Sequence, residues 1–401
     1  MVYPASRSKP DAIVAAGARA ASKAAPGKDR RVVKRTAAEH RLVRPLIGEL
    51  PGYQPVDSLE SVARETGYSP ETIVKLDANE NPYGPSPRVL DVLTRPDQYH
   101  LYPDASQRAA RQALAAYTSA EADRIVVGNG SDELIDLLLL ATIEPGDEVI
   151  VPVPTFGVYL TRPPLFGATV RVVPRREDFE LDIASIEAAL TERTKLVFLA
   201  SPNNPTGNLV TAQQLVRVLR MGVLVVLDEA YYEFAGRTLL PLSREFDNLV
   251  VLRTFSKWAG LAGLRAGYGI FPSELAQAIW RVKVPFNVNT LALRAIEAAL
   301  IDLPVQMQKV ARIRLERGRL FRGLRRIGFL QPFPSRGNFI LCRVTRGDAH
   351  DVHRRLLVRG ILVRKYADPL LRQYLRITVG LPEQTDRVLH ALGEIATEVE
   401  G

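Results

Sequence analysis

Lys257 lies just past an apolar run, Leu249 to Leu252, in the stretch VLRTFSKWAGLAGLRAGYG. Thr254 and Ser256 precede it and Arg265 follows eight residues later. An amine beside hydroxyls, with an arginine close behind, suits one kind of chemistry. The amine forms a Schiff base with an aldehyde, and the guanidinium holds an anionic group of the same molecule. Pyridoxal phosphate carries both the aldehyde and the phosphate. Lysine is rarely buried without a purpose. On this stretch alone, an exposed turn lysine beside an unrelated surface arginine accounts equally well for the pattern.

Other stretches bear on the choice. The apolar run 223–227 ends in Asp228-Glu229-Ala230-Tyr231. An acid at the tip of a buried strand is poorly placed for solubility. It is well placed to keep a pyridine nitrogen protonated, which makes the ring an electron sink. GNGSDE (128–133) reads as a glycine turn between a strand and a helix, where free backbone N–H groups bind phosphate. It is neither a dinucleotide fingerprint nor a Walker A sequence; a capped helix without ligand is the plain alternative. Phe156 suits stacking on a flat ring, and equally a place in the core. The polar run DANENPYG (77–84) is expected to leave the sheet and cross a surface. Five histidines without ligand spacing and a single cysteine give no metal site.

The elements that must position these residues alternate between strand and helix. Strands are expected at 73–76, 125–127, 148–151, 168–173, 196–200, 223–227, 249–252 and 266–271. Helices are expected at 58–66, 106–117, 134–143, 183–190 and 212–219. That order indicates a mostly parallel α/β sheet, with the special residues at the strands' C-terminal ends, where ligands bind in such sheets. Beyond 271 come helices at 273–283, 291–300 and 306–327. An α+β segment follows, with strands at 338–343, 361–364 and 374–379 and helices at 349–359 and 383–399. The expected division is a basic tail (1–40), a segment joining a small domain (41–90), a large domain (91–290) and a small C-terminal domain (291–401).

The composition, 46% hydrophobic and 24% charged in 401 residues, is that of a globular protein with ample core. No apolar run reaches membrane-spanning length. One cysteine, Cys342, allows no internal disulfide and suits a reducing compartment, the cytoplasm. Residues 1–40 hold nine Lys/Arg against three acids, +6 of the net +9. Such a segment buries too little surface to order itself. It reads as a solvated tail, with an organelle transit peptide or a nucleic-acid arm as alternatives. The body is nearly balanced and gives no reason to expect a nucleic-acid partner.

Taken together, KLDANENPYG, YPD, GNGSDE, SPNNPTG, VVLDEAYYEF, VLRTFSKWAGLAGLRAGYG, SRGNFILCRV and YLRITVG resemble, in order and separation, the fold-type I pyridoxal-phosphate-dependent aminotransferases. Within them the similarity is greatest to the histidinol-phosphate aminotransferases. It runs from about Leu50 to the C-terminus. The resemblance implies a mixed, mostly parallel seven-stranded sheet in a large domain and a smaller α+β domain, working as a homodimer with shared active sites. It implies that Lys257 binds the cofactor covalently and then moves the proton. Asp228 pairs with the ring nitrogen, Asn204 and Tyr231 hold the ring hydroxyl, and Phe156 stacks on the ring. Ser131, Asp132, Ser256 and Arg265 take the phosphate, which Tyr102 of a neighbouring subunit also reaches. Arg376 clamps the substrate carboxylate, and Arg364 meets the substrate phosphate with Tyr53 closing over it. Histidinol phosphate and 2-oxoglutarate would exchange with imidazole-acetol phosphate and glutamate.

Trp258, directly after the lysine, is bulkier than the small or basic residue expected there. Phe156 replaces a frequent tyrosine. An aromatic amino acid transaminase and a decarboxylase of a phosphorylated amino acid would share most of these residues. A non-enzymatic regulator with a nucleic-acid-binding tail is the remote reading, which retention of Lys257, Asp228 and Arg265 opposes.

Overall fold

A computed structural model describes residues 42–49, 58–95 and 99–400. The expected tail and Tyr53 lie outside the described residues. The chain divides into two units, one ending at Glu49 and one spanning Leu50–Gly401. In the first, the described residues include a short helix, Pro45–Glu49, with mostly exposed side chains.

The second unit carries every strand among the described residues. In chain order they are β1 (Val74–Leu76), β2 (Ile125–Asn129), β3 (Glu148–Val153), β4 (Thr169–Pro174), β5 (Thr194–Ala200), β6 (Leu224–Asp228), β7 (Leu249–Thr254), β8 (Ala266–Ile270), β9 (Leu330–Pro332), β10 (Phe339–Val344), β11 (Ile361–Lys365) and β12 (Tyr374–Thr378). Seven form one sheet in the order β2-β8-β7-β6-β5-β3-β4. Every pair from β4 to β7 is parallel, and β8 runs antiparallel to both its neighbours. The mixed, mostly parallel sheet read from the sequence is present. A second sheet has the order β1-β11-β12-β10-β9, with β1 parallel to β11 and the rest antiparallel.

The large sheet is covered on both faces, which is why its strands read as unbroken apolar runs rather than alternations. Val225, Leu227, Leu249 and Val251 join one apolar cluster, while Val226, Val250 and Leu252 join the other. Successive side chains point to opposite faces, so each strand feeds both cores. By the same alternation Asp228 falls on the face of Val226 and Leu252. Register then gathers the strand ends. Asn129 lies opposite Ala266, Ala200 opposite Asp228, and Thr254 opposite Gly267. Everything that follows β2, β3, β5, β6 and β7 therefore emerges along one edge.

Candidate active site

Four turns leave that edge. After β7 the chain passes Thr254, whose hydroxyl lies 3.0 Å from that of Ser256, and reaches Lys257. The lysine is half-buried, and its Nζ donates to the Ala78 carbonyl at 3.0 Å. Burial lowers its pKa to about 8, aided by the charges of Arg376 and Arg265 and opposed by Glu80 and Asp132. A neutral, nucleophilic amine is thus accessible near neutral pH. Tyr231 lies beneath it, with Nζ 6.0 Å from the ring centroid.

After β6 comes Asp228, which is buried. Its Oδ2 accepts from the Tyr159 hydroxyl at 2.5 Å and its Oδ1 from the Ala230 N–H at 2.8 Å. Burial raises its pKa to about 6 against the pull of these two donors. After β2 comes Gly130 and the helix Ser131–Thr142. Arg265 donates to Asp132 Oδ2 at 2.8 Å and approaches Ser256 Oγ at 3.5 Å. This close packing exists because two side chains are missing. A Cβ at Gly130 would strike the Arg265 guanidinium, and one at Gly267 would strike the backbone of Gly130 and Ser131. Arg265 itself has φ 56°, left-handed for a non-glycine residue. Such a conformation costs of order 1 kcal/mol and persists where the surroundings demand it. A helix start, a hydroxyl and a guanidinium brought this close together suit a phosphate-sized anion. Phe156 stands half-buried after β3, 5.6 Å edge-on from Tyr159.

The second sheet supplies the other end. Arg376 of β12 is 7% exposed. It donates to Asn204 Oδ1 at 2.7 Å and to the Asp77 carbonyl at 2.5 Å. Arg364 lies directly opposite it across the β11–β12 ladder. The buried Arg376 Nε has no hydrogen-bond partner among the described residues. Burial raises the Tyr366 pKa, and the charges of Arg376 and Arg364 and a hydrogen bond from Arg376 oppose that rise. Two arginines opposed in register, one with an orphaned Nε donor, form a site for an anion from outside.

The run 77–84 corrects the expectation of a surface crossing. Asp77, Asn79 and Asn81 are buried. Asn79 Nδ2 donates to the Tyr231 hydroxyl at 3.0 Å, and its backbone N–H donates to Thr378 Oγ1 at 3.0 Å. Asn81 Nδ2 donates to the Trp258 carbonyl at 2.7 Å. With Ala78 and Asp77 accepting from Lys257 and Arg376, this polar segment is satisfied inside the protein and roofs the lysine. Its density of Asn and Asp was the signal, since short polar side chains can satisfy buried backbone as well as face water. Trp258 is also resolved. Its ring is fully buried against Phe255 at 5.2 Å and Tyr117 at 6.2 Å, turned into the core away from the lysine's partners.

Lys257, Asp228, Tyr231, Asn204, Phe156, Ser131, Asp132, Ser256, Arg265, Arg364 and Arg376 thus fall on the strand ends and facing strands of one region. Tyr102 does not join them in this chain. It is 81% exposed and stacks on Phe286 at 4.5 Å, beside a cavity of about 270 Å³ lined by Leu101, Pro103, Gln107 and Leu293. Tyr159 and Asn79 are the functional candidates not singled out from sequence. The described residues contain no cluster of His, Cys, Asp and Glu fit for a metal, and no helix long and apolar enough to cross a membrane.

Known proteins share this arrangement of elements. A histidinol-phosphate aminotransferase of Dehalococcoides mccartyi is 47% identical over 323 residues, 80% of this chain and 90% of that protein. The chloroplastic histidinol-phosphate aminotransferase 1 of Arabidopsis thaliana is 43% identical over 353 residues, 87% of this chain and 85% of that one. The crystal structure of histidinol-phosphate aminotransferase from Sinorhizobium meliloti in complex with pyridoxal-5'-phosphate is 29% identical. It matches with a TM-score of 0.79, covering 89% of this chain and 98% of that one. The model of the family described as aminotransferase class I and II matches residues 71–392, which include Lys257, both strand-borne arginines and the buried roof. By sequence, sheet order and site layout, the chain belongs to the class I and II aminotransferases.

Proposed function

We propose that this aminotransferase uses pyridoxal phosphate to interconvert histidinol phosphate plus 2-oxoglutarate and imidazole-acetol phosphate plus glutamate, in histidine biosynthesis. The names of the relatives support the substrate. The observation that carries it is the pair Arg364 and Arg376, opposed in register, with a buried Arg376 Nε that has no hydrogen-bond partner among the described residues. An α-carboxylate and a phosphate monoester both need such donors.

The cofactor fits the other end: Gly130 and Gly267 let the helix start and Arg265 approach closely, and Ser131, Asp132, Ser256 and Arg265 would hold its phosphate there. When bound, pyridoxal phosphate supplies the electron sink that acidifies the substrate's Cα–H and carries the amino group between half-reactions. Lys257 holds the cofactor through Nζ and, once released, moves the proton at the substrate carbon. Its lowered pKa keeps enough neutral amine for both tasks. Asp228 holds a proton on the ring nitrogen, Asn204 and Tyr231 bind the ring hydroxyl, and Phe156 covers the ring face. The buried roof of residues 77–81 excludes water from the amine.

We further propose a homodimer in which exposed Tyr102 completes the neighbour's phosphate site, with Tyr53 closing over the substrate, and a cytoplasmic setting. We assign 91–290 to a large cofactor-binding domain, 41–90 and 291–401 to a small one, and 1–40 to a tail.

A substrate panel tests the assignment. Wild-type enzyme should prefer histidinol phosphate over phenylalanine and tyrosine. Arg364→Ala should lower kcat/KM for histidinol phosphate about ten- to a hundredfold and spare the aromatic amino acids. If aromatic amino acids are the better substrates and Arg364→Ala leaves histidinol phosphate turnover intact, the aromatic transaminase reading replaces this one.

A further inference from the structure

Tyr159 is the least expected member of the site. It sits on the one-turn helix Val158–Thr161, between the ring-facing Phe156 and the apolar core. Its ring stacks on Phe198 of β5 with centroids 4.7 Å apart and planes 7° from parallel, and its backbone N–H donates to the Phe156 carbonyl at 3.1 Å. The turn ahead of it is tied down as well. Asn203 Nδ2 donates to the Pro154 carbonyl at 3.0 Å, and the Thr155 hydroxyl donates to Asn203 Oδ1 at 2.7 Å. A rigid, fully buried ring therefore delivers one hydroxyl to Asp228 Oδ2 at 2.5 Å, a charge-assisted distance.

We propose that Tyr159 is the positioning residue for Asp228, orienting its carboxylate and restraining its basicity toward the ring nitrogen of the bound cofactor. This rests on the reading that Asp228 faces that nitrogen. Among the described residues the Asp228 side chain has two partners, the Tyr159 hydroxyl on Oδ2 and the Ala230 N–H on Oδ1. An ionised carboxylate has about four acceptor sites, so each oxygen keeps one for the cofactor. With one donor on each oxygen the group cannot turn about its own axis without breaking a bond. Remove the hydroxyl and only the backbone donor remains. The charged surroundings make the donor matter: Asp132 and Glu229 both disfavour a third negative charge, and Tyr231 is a further titratable neighbour. Burial and the Asp228 charge raise the hydroxyl's own pKa, so it remains a donor throughout the working range. Phe156 and Tyr159, three residues apart, thus fix the ring face and the ring-nitrogen partner from a single turn.

Tyr159→Phe keeps the stacking ring and removes the bond. Cofactor-free protein is titrated with pyridoxal phosphate, and the visible band of the bound cofactor is then followed against pH. The variant should bind the cofactor more weakly, on the order of tenfold. Its band should titrate at higher pH than wild type, because a more basic Asp228 draws the ring proton toward itself and leaves less positive charge on the ring. In an Asp228→Ala background there is no carboxylate to hold, and Tyr159→Phe should change neither quantity. Wild-type affinity and midpoint in Tyr159→Phe overturn the proposal. The same loss in the Asp228→Ala background also overturns it, since the ring would then act by packing alone. A wild-type protein that forms no Lys257-dependent band overturns the cofactor reading itself, whatever Tyr159→Phe does.

Discussion

The two arginine-centred ends of the site are built on different principles. Arg265 has 42% of its side chain exposed and is paired with Asp132 at 2.8 Å, so its charge is balanced within the protein. It occupies a turn of the large sheet's edge, and the absence of a side chain at Gly130 lets its guanidinium lie against the helix start. Arg376 is 7% exposed, and it donates to an amide oxygen and a backbone carbonyl, neither charged. It lies on a regular strand of the other sheet, with a second guanidinium opposite in register. Burying an unbalanced cation is costly unless something repays it. A balanced cradle suits a group that stays, and a buried guanidinium held only by neutral acceptors suits anions that come and go. The contrast assigns the resident cofactor to one end and the exchanging substrates to the other.

The largest effect is expected between the ends. Lys257→Ala should leave both anion sites in place and remove the amine that serves them. Turnover should fall by at least ~10²–10⁴-fold, the usual contribution of a positioned proton-transfer group. Borohydride reduction of wild-type enzyme should fix the cofactor on a peptide containing Lys257. A label on another lysine would end this assignment.

The next pair of variants tests the contrast itself. Arg265→Ala should weaken cofactor retention about ten- to a hundredfold, with turnover recovering at saturating pyridoxal phosphate. Arg376→Ala should retain the cofactor and lose a similar factor in kcat/KM for glutamate. Dialysis followed by visible absorbance separates the two. If Arg376→Ala sheds the cofactor while Arg265→Ala keeps it, the ends have been assigned the wrong way round.

The cradle was far more legible in sequence than the substrate end. Ser131, Asp132, Ser256 and Arg265 sit in turns beside strongly apolar runs, so glycines, hydroxyls and charges stand out locally. Asp228 stood out in the same way, as an acid closing β6. Arg376 and Arg364 gave no such signal; they lie 12 residues apart on two antiparallel strands, and only register opposes them. Their roles came from resemblance. The roof was misplaced for a physical reason. Local composition marks 77–84 as polar, but whether its polar groups meet water or protein depends on Arg376, Tyr231 and Thr378, which are remote in the chain. Tyr159 was hidden because a buried tyrosine in an apolar setting reads as core until its hydroxyl's partner is seen.

The smallest effect concerns the free energy of holding charge ready. Asp228 has an ordinary pKa of 3.8, raised by burial to about 6 in the folded protein. The folded state therefore binds its proton more tightly than the unfolded chain does. That contributes stability in full below about pH 4, and it is lost as pH rises through about 6. A shift of about two units corresponds to ~3 kcal/mol, an upper figure for one buried group. Lys257 carries the complementary penalty: with a folded value of about 8 against an ordinary 10.5, it costs stability in full below pH 8 and is relieved as pH climbs toward 10.5. At neutral pH, then, the cofactor-free protein bears both costs at once. Asp228→Asn removes the first and leaves the second. Urea unfolding of cofactor-free protein should show the variant more stable than wild type at pH 8, by up to ~3 kcal/mol, with the two converging near pH 4. With cofactor bound, the order should reverse, because the variant has no carboxylate for the ring nitrogen. A wild-type to variant difference that is flat between pH 4 and 8 would mean that Asp228 is not held against its charge. The resident end of the site would then be balanced throughout, and the buried charge held by neutral acceptors would be that of Arg376 alone.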